Sequence, residues 1–131
     1  MVYLSLQQKS FREIQMKINI KERPQIEVET NYSFSVEYGQ DNSSCIAHLR
    51  QNVRSKEDSS IFNIVVECSG NFSCEGITDD DDKKIAHIQS YILLFPYVQD
   101  MIATLTASAG LAPMMIKIDK MEPENVEVKK I

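Results

Sequence analysis

The sequence predicts an α+β fold, in which a four-stranded antiparallel sheet has a long broken helix packed on one face. Through the first two-thirds of the chain, apolar and polar residues alternate with a period of two, which is typical of strands that bury one face. The last third changes to apolar residues at helical spacing. The polar turns between the strands are short, and short connections favour antiparallel neighbours. A sheet with one apolar face needs a cover, which the helix can supply.

The composition is that of one globular domain. Hydrophobic residues make up 43% of the 131 residues and charged residues 25%, which excludes collagen-like and largely disordered chains. The net charge is −5 and no basic cluster is present, so the sequence does not predict nucleic-acid binding. No apolar run approaches the roughly 20 residues that span a bilayer, and the N-terminus lacks the pattern of an export signal. We therefore expect a cytoplasmic protein without membrane insertion.

Strands are predicted at residues 14–20, 26–38, 45–53 and 62–75. The second is the clearest, because its even positions are apolar except at Thr30 and its odd positions are polar. Polar turn residues at 39–43 and 55–60 separate the second, third and fourth strands. Gly70 falls on the apolar face of the fourth strand, where a missing side chain is typical of a bulge or of close packing.

The helix is predicted to begin after Thr78, which can cap its N-terminus, and to end at Gly110 and Pro113. Four aspartates at 79–82 fall in the first turn, where the helix dipole favours negative charge. Pro96 interrupts the pattern and is expected to kink or break the helix.

The apolar residues of the helix form two rows. The first row contains Ile85, Ile88, Ile92, Phe95, Ile102 and Leu105, and the second contains Leu94, Val98 and Met101. Two rows predict burial on two sides, one against the sheet and the other against another subunit. Residues 1–118 are predicted to form the domain, and residues 119–131 a loosely held polar tail.

Residues that could carry catalysis are few. His48 falls on the polar side of a weak strand and His87 near the start of the helix, and neither has the sequence context that nucleophilic catalysis requires. The glycines are isolated, and the cysteines and histidines lack metal-ligand spacing. Three cysteines, an odd number, argue against a disulfide framework. We expect no enzymatic activity, no catalytic residue, no cofactor and no bound metal.

The helix and the strand before it resemble the SecB family of export chaperones. The helix reads Ile-Leu-Leu-Phe-Pro-Tyr-Val at residues 92–98, followed by Met101-Ile102, Leu105 and Gly110-Leu111-Ala112-Pro113. The strand-to-helix junction at residues 72–77 and the pair Ala86-His87 are also similar to that family. The similarity extends from about residue 14 to residue 118, with four strands at matching distances before the Phe-Pro-Tyr motif.

The resemblance implies an ATP-independent holdase, which binds unfolded polypeptides or preproteins in long apolar grooves and keeps them unfolded for export. It also implies a homo-oligomer, a dimer of dimers with helices at the tetramer interface. The interface residues expected on this basis are Ile88, Ile92, Phe95, Ile102 and Leu105.

The sequence departs from the export-type pattern in two regions. The family's helix after the proline loop is missing, and a tail ending in Lys129-Lys130-Ile131 replaces it. On the outer face of the sheet, Lys17 and Val65 stand at positions that are acidic in export-type members, and Asn63 stands at a leucine position. These departures put docking to the translocase motor in doubt, although Glu13 and Glu67 keep some negative charge.

Client-binding residues are predicted at the sheet edge and in the segment after the helix. The floor of the groove would be formed by Tyr32, Phe34, Phe62 and Ile64, and its roof by Leu111, Met114, Met115 and Ile116. Methionine suits such a roof because its flexible side chain accepts many partners. The alternative for the roof residues is that they only cover the core.

A second class of function remains open for the whole protein. The chain could be the dedicated chaperone or binding partner of one protein, such as an antitoxin, as in SecB-like relatives that serve toxin–antitoxin modules. An enzyme or a small-ligand carrier is a third alternative, without positive support in the sequence.

Overall fold

The computed structural model describes residues 1–19 and 27–128, which form one sheet and one long helix. The sheet is antiparallel, in the order β1-β4-β3-β2, and consists of β1 (Tyr3–Ile18), β2 (Val28–Tyr38), β3 (Ser44–Ser55) and β4 (Phe62–Glu75). The helix α1 (Asp80–Ser108) packs on one face, and a 3₁₀ turn (Pro123–Asn125) follows it. The predicted fold class is confirmed. Ile20 and Ile26, placed in strands by the sequence, lie outside the described residues.

Strand β1 begins at Tyr3, whereas the sequence predicted it only from Ile14. The first half was missed because two bulges interrupt the simple alternation there. Register shifts at Leu6/Gln8 and at Phe11/Glu13 each insert one extra residue of β1 opposite β4. The residues that share the helix-side face therefore change from even to odd numbers and back: Leu4, Leu6, Lys9, Phe11, Ile14, Met16 and Ile18. The amino group of Lys9 on this face lies 4.7 Å from the ring centre of Tyr97, which offsets its position among apolar residues.

The core lies between α1 and the helix-side face of the two central strands, β3 and β4. Its fully buried members include Leu49, Val53, Ile64, Val66 and Phe72 from the strands and Tyr91, Leu94, Val98 and Ile102 from the helix. Gly70 explains how closely the layers approach, because a Cβ there would lie 3.0 Å from side-chain atoms of both Leu6 and Leu94. Of the two predicted reasons for this glycine, close packing is therefore the one that applies. The two nearby bulges are in β1, which carries their extra residues.

The helix is continuous through Pro96, so the predicted break is wrong, and the kink stays a prediction. Pro96 is exposed, and its neighbours Phe95 and Val98 are buried against the sheet on the opposite side of the helix. The hydrogen bond that proline cannot donate is thus missing on the solvent side, where water can replace it, while packing on the other side holds the helix. Among the described residues, no helix has the length and apolar character to cross a membrane.

The helix begins one residue later than predicted. Asp79, not Thr78, is the N-cap, and its carboxylate accepts a hydrogen bond from the backbone N–H of Asp82 at 2.8 Å. The Asp82 carboxylate in turn accepts from the N–H and the hydroxyl of Thr78, at 3.0 and 2.8 Å. This reciprocal arrangement satisfies backbone donors at the helix start.

The chain reverses at the end of the helix and returns along it. Gly110 has a φ of +84°, and Leu111 N–H donates to the carbonyl of Thr106, as in a Schellman cap. The crossover segment, residues 111–118, is then tied to two buried polar side chains of α1. Thr106 Oγ1 accepts from Met114 N–H at 2.9 Å, and the Gln99 amide bonds the Met114 carbonyl and Ile116 N–H at 2.9 and 2.7 Å.

Residues 119–128 also fold back onto the protein, where the sequence predicted a loosely held polar tail. Val126 is only 8% exposed, and Met121 packs against the core. Apolar burial at these two positions outweighs the polar character that suggested a tail. Residues 119–128 are called the C-terminal strap below.

Candidate functional site

A row of aromatic rings lies where the edge strand β2 meets the first half of α1. Tyr32 and Phe34 are on the helix-side face of β2 and remain half-buried, because no further strand flanks β2 within residues 1–19 and 27–128. The Tyr32 ring stacks on Tyr91, with ring centres 5.2 Å apart. Phe34 meets the rings of His87 and Tyr91 edge to face, at 4.9 and 5.3 Å. These rings form an apolar wall that reaches the sheet edge.

Burial keeps the polar atoms of this wall uncharged. Desolvation lowers the pKa of His87, so its imidazole is neutral at physiological pH. Desolvation also raises the pKa of Tyr91 to about 12, and its hydroxyl oxygen accepts a hydrogen bond from the backbone N–H of Asp119 at 3.2 Å. The wall therefore presents apolar surface with few fixed charges, which suits contact with apolar side chains.

A cavity of about 270 Å³ lies between this wall and the C-terminal strap. Tyr32, Phe34 and His87 line one side of the cavity. The strap lines the other side with Lys120, Met121, Glu122, Asn125 and Val126. Pockets for small molecules usually measure about 300–1,000 Å³, so this space fits one or two side chains better than a cofactor. We call this site, with its aromatic wall, the β2 groove.

The structure brings only part of the predicted client-binding set to this groove. Tyr32 and Phe34 line it, whereas Phe62 and Ile64 are 1% and 0% exposed beneath the helix. Phe62 and Ile64 are not accessible because β4 is a central strand, and its helix-side face is covered along its length. Their assignment to the floor of the groove is therefore corrected.

The predicted roof residues divide in the same way. Leu111, Met114 and Ile116 pack against the core, which favours the alternative that they cover it. Met115 is 73% exposed, although its sulfur accepts a hydrogen bond from the Gln99 amide at 3.3 Å. Buried and exposed side chains alternate here because residues 114–116 are extended. The Gln99 side chain on the helix holds this segment by hydrogen bonds to the Met114 carbonyl and the Ile116 N–H.

The helix face predicted to meet another subunit is also revised. Phe95 and Ile102 are 7% and 0% exposed and face the sheet, as do Leu94 and Val98 of the second row. Ile88 and Leu105 are half-buried. The apolar residues left exposed on α1 are Ile85, Ile92 and Leu93, of which only Ile92 belongs to the predicted interface. Helical periodicity alone did not decide which side packs on the sheet, because apolar residues occur on both sides.

The outer face of the sheet carries a compensated set of charges. Arg50 on β3 forms ion pairs with the carboxylates of Glu13 and of Glu67, the latter at 3.4 Å. Asn63 receives a hydrogen bond from the Asn52 amide at 2.9 Å, and Val65 is buried among its neighbours. The single positive charge of Arg50 thus offsets only part of the negative charge that Glu13 and Glu67 were expected to offer.

Three residues that sequence reasoning missed are structurally central to this region. Tyr91, Gln99 and Thr106 are buried on α1 and hold the chain after the helix through hydrogen bonds. For Tyr91 the sequence did contain a signal, because helical spacing places it three and four residues before the buried Leu94 and Phe95. No cluster of metal-ligating side chains occurs among the residues that the structure describes.

Comparison with known sequences gives consistent matches. The protein-family model described as "Preprotein translocase subunit SecB" matches residues 3–121. The protein-export protein SecB of Orientia tsutsugamushi (strain Boryong) is 31% identical over 98 residues, which are 74% of this chain and 60% of that protein. SecB of Caulobacter vibrioides (strain NA1000 / CB15N) is 31% identical over 61 residues, 47% of this chain and 37% of that protein. The chain thus spans about 60% of the length of the first of these relatives.

A solved structure shares the fold. It is the SecB-like chaperone Rv1957 of Mycobacterium tuberculosis in complex with a ChAD peptide from the Rv1956 HigA1 antitoxin. The two structures superpose with a TM-score of 0.72 over 89% of this chain and 90% of the other, at 13% sequence identity. At that identity the similarity concerns the arrangement of strands and helix.

Proposed function

Because the chain belongs to the SecB family, we propose that it is a chaperone that holds unfolded polypeptides in the β2 groove. The observation that carries this proposal is the half-exposed aromatic wall of Tyr32 and Phe34 at an edge of the sheet. An edge strand offers free backbone groups to an extended chain, and adjacent rings offer contact to its side chains. This combination suits clients that are unfolded and varied in sequence, such as exported polypeptides.

Holding such clients requires no ATP in this proposal. The sequence contains no glycine-rich phosphate loop, and the cavity of the β2 groove is small for a nucleotide. The family consists of non-enzymatic chaperones, in agreement with the expectation that the chain is not an enzyme. The three cysteines are buried free thiols, which supports a location in the reducing cytoplasm.

The groove is tested by replacing Phe34 with Thr, which keeps strand propensity but removes the ring. We expect the dissociation constant for a reduced and alkylated, permanently unfolded protein to rise about tenfold, which corresponds to about 1.4 kcal/mol. Ile46→Thr is the matched control, because Ile46 is an exposed apolar residue on the opposite face of the sheet. Fluorescence anisotropy measures both variants, with and without ATP, and thermal unfolding confirms that each is folded.

Equal affinity of Phe34→Thr and Ile46→Thr for the client would place client binding outside the β2 groove. A dependence on ATP would contradict the holdase part of the proposal.

A dedicated partner, such as an antitoxin, is the second candidate. Two observations favour it: the solved structure with the same fold carries an antitoxin peptide, and Arg50 pairs with both carboxylates that could attract a translocase motor and so reduces their negative charge. A panel of unrelated unfolded proteins separates the candidates. Similar affinity across the panel supports a general holdase, and tight capture of one antitoxin-like peptide alone supports the dedicated role.

A further inference from the structure

The C-terminal strap enters the β2 groove at its aromatic wall. The backbone N–H of Asp119 donates to the hydroxyl of Tyr91 at 3.2 Å, and the same tyrosine stacks on Tyr32. From there the strap runs along the groove and supplies its second wall. The rings that could receive a client are therefore already faced by a segment of the same chain.

The strap contributes both apolar and polar residues to the lining of the groove. Met121 and Val126 line the cavity opposite Tyr32 and Phe34. The 3₁₀ turn at Pro123–Asn125 brings these two positions to the same wall, with a hydrogen bond from Val126 N–H to the Pro123 carbonyl at 3.2 Å. Lys120 pairs with Glu122 at the exposed rim. A short extended segment with a few apolar anchors is also what an unfolded client would offer.

The strap is held much less firmly than the crossover segment before it. Residues 111–118 are tied by three hydrogen bonds to the buried side chains of Gln99 and Thr106. Among the described contacts of residues 119–128, the bond from Asp119 to Tyr91 is the one hydrogen bond to the sheet or the helix, and the other backbone bonds stay within the 3₁₀ turn. The strap can therefore detach while the crossover segment and the core remain in place.

We propose that the C-terminal strap is an internal occupant of the β2 groove, which a client must displace. This inference rests on the proposed function of the groove and adds its regulation. While the strap is docked, the groove is closed, so the apparent dissociation constant for a client equals the intrinsic constant divided by the fraction of molecules with the strap detached. Docking also covers apolar surface that would otherwise promote self-association between client-binding events.

Val126→Ser tests the strap without touching the wall that contacts a client. The variant loses the buried apolar anchor, so we expect it to bind a fluorescent unfolded polypeptide about tenfold more tightly than the unmodified chain. Val128→Ser is the matched control, because Val128 is the same residue two positions later and does not line the cavity. We expect its affinity to be unchanged.

A synthetic peptide covering residues 117–128 provides an independent measurement. Added in trans at up to about 1 mM, it should compete with the client for the Val126→Ser variant. Unchanged or weaker client affinity of Val126→Ser, or a lack of competition by the peptide, would overturn the inference and leave the groove's function intact.

If no variant binds any client, the proposed function fails, and the inference is then judged by the labelled peptide alone. The labelled peptide is then measured on Val126→Ser and on the double variant that carries both Val126→Ser and Phe34→Thr. Saturable binding to the first, lost in the second, would still place the strap in the groove. Absence of that binding would overturn the inference as well.

Discussion

His87 lies among apolar side chains at the β2 groove. Its ring packs edge to face on Phe34, and it lines the cavity with the strap. Desolvation lowers the pKa of His87 below its ordinary value of 6.5. Well above pH 6.5 the imidazole is neutral in both the folded and the unfolded protein, so it leaves stability unchanged.

As pH falls below 6.5, the unfolded chain takes up the proton at His87 before the folded protein does. The free energy of unfolding should therefore decrease between pH 6.5 and the lower folded-state pKa, and this decrease should be smaller in His87→Gln. His48→Gln is the control, because His48 lies on the outer face of the sheet, bonded to Ser69. Urea unfolding at pH 7.5, 6.5 and 5.5 measures the effect. Identical pH dependence in the two variants would contradict the role of His87.

At the scale of elements, the helix tolerates a proline in its interior. The carbonyl of Ile92, four residues earlier, has no N–H donor at Pro96, and both residues are exposed. An interior proline costs about 3 kcal/mol relative to alanine in an isolated helix. Packing of the opposite side on the sheet supplies the compensation here.

Pro96→Ala should restore the missing hydrogen bond and raise the free energy of unfolding by about 1–3 kcal/mol. Urea denaturation measures the change. The same helix already contains an alanine at Ala103, so this residue type is compatible with the helix. A loss of stability would mean instead that the sheet requires a helix bent at Pro96.

The elements differ in how far the sequence predicted them, for reasons that particular residues make clear. The strands β2 and β4 were predicted because their alternation keeps the same parity along the strand, whereas β1 was predicted only from Ile14 because two bulges change the parity of its core positions. The groove residues Tyr32 and Phe34 were predicted from the same alternation. Phe62 and Ile64 share that pattern but lie on a central strand, and strand order is a tertiary property that alternation does not encode.

At the scale of the whole molecule, groups of large apolar side chains are exposed on two separate elements among the residues that the structure describes. One is the outer side of α1, with Ile85, Ile92 and Leu93, and the other is the end of the edge strand β1, with Ile14 and Met16. Two distinct self-complementary surfaces are what a dimer of dimers needs, and we propose that assembly on this basis.

Ile92→Glu should dissociate the oligomer into smaller units that keep their fold, because Ile92 is 53% exposed in the protomer. Ile102→Glu should instead unfold the protein, since an unpaired buried charge costs several kcal/mol. Light scattering after gel filtration gives the mass, and circular dichroism gives the fold. A monomeric unmodified chain at micromolar concentration would contradict the assembly, and an unaltered mass of Ile92→Glu would exclude this side of α1 from the interface.

The order of elements along the chain has a consequence for how the protein is synthesised. All four strands precede the helix that covers them, and β1 pairs with β4 so that Tyr3 meets Glu75. A ribosome therefore releases a complete apolar sheet face before residues such as Leu94, Val98 and Ile102 emerge to cover it. Pairings between distant residues form slowly, and an uncovered sheet is prone to aggregation during that time. By the proposed function, each nascent copy would present to the finished copies the kind of surface that they bind, so this chain would be among its own clients.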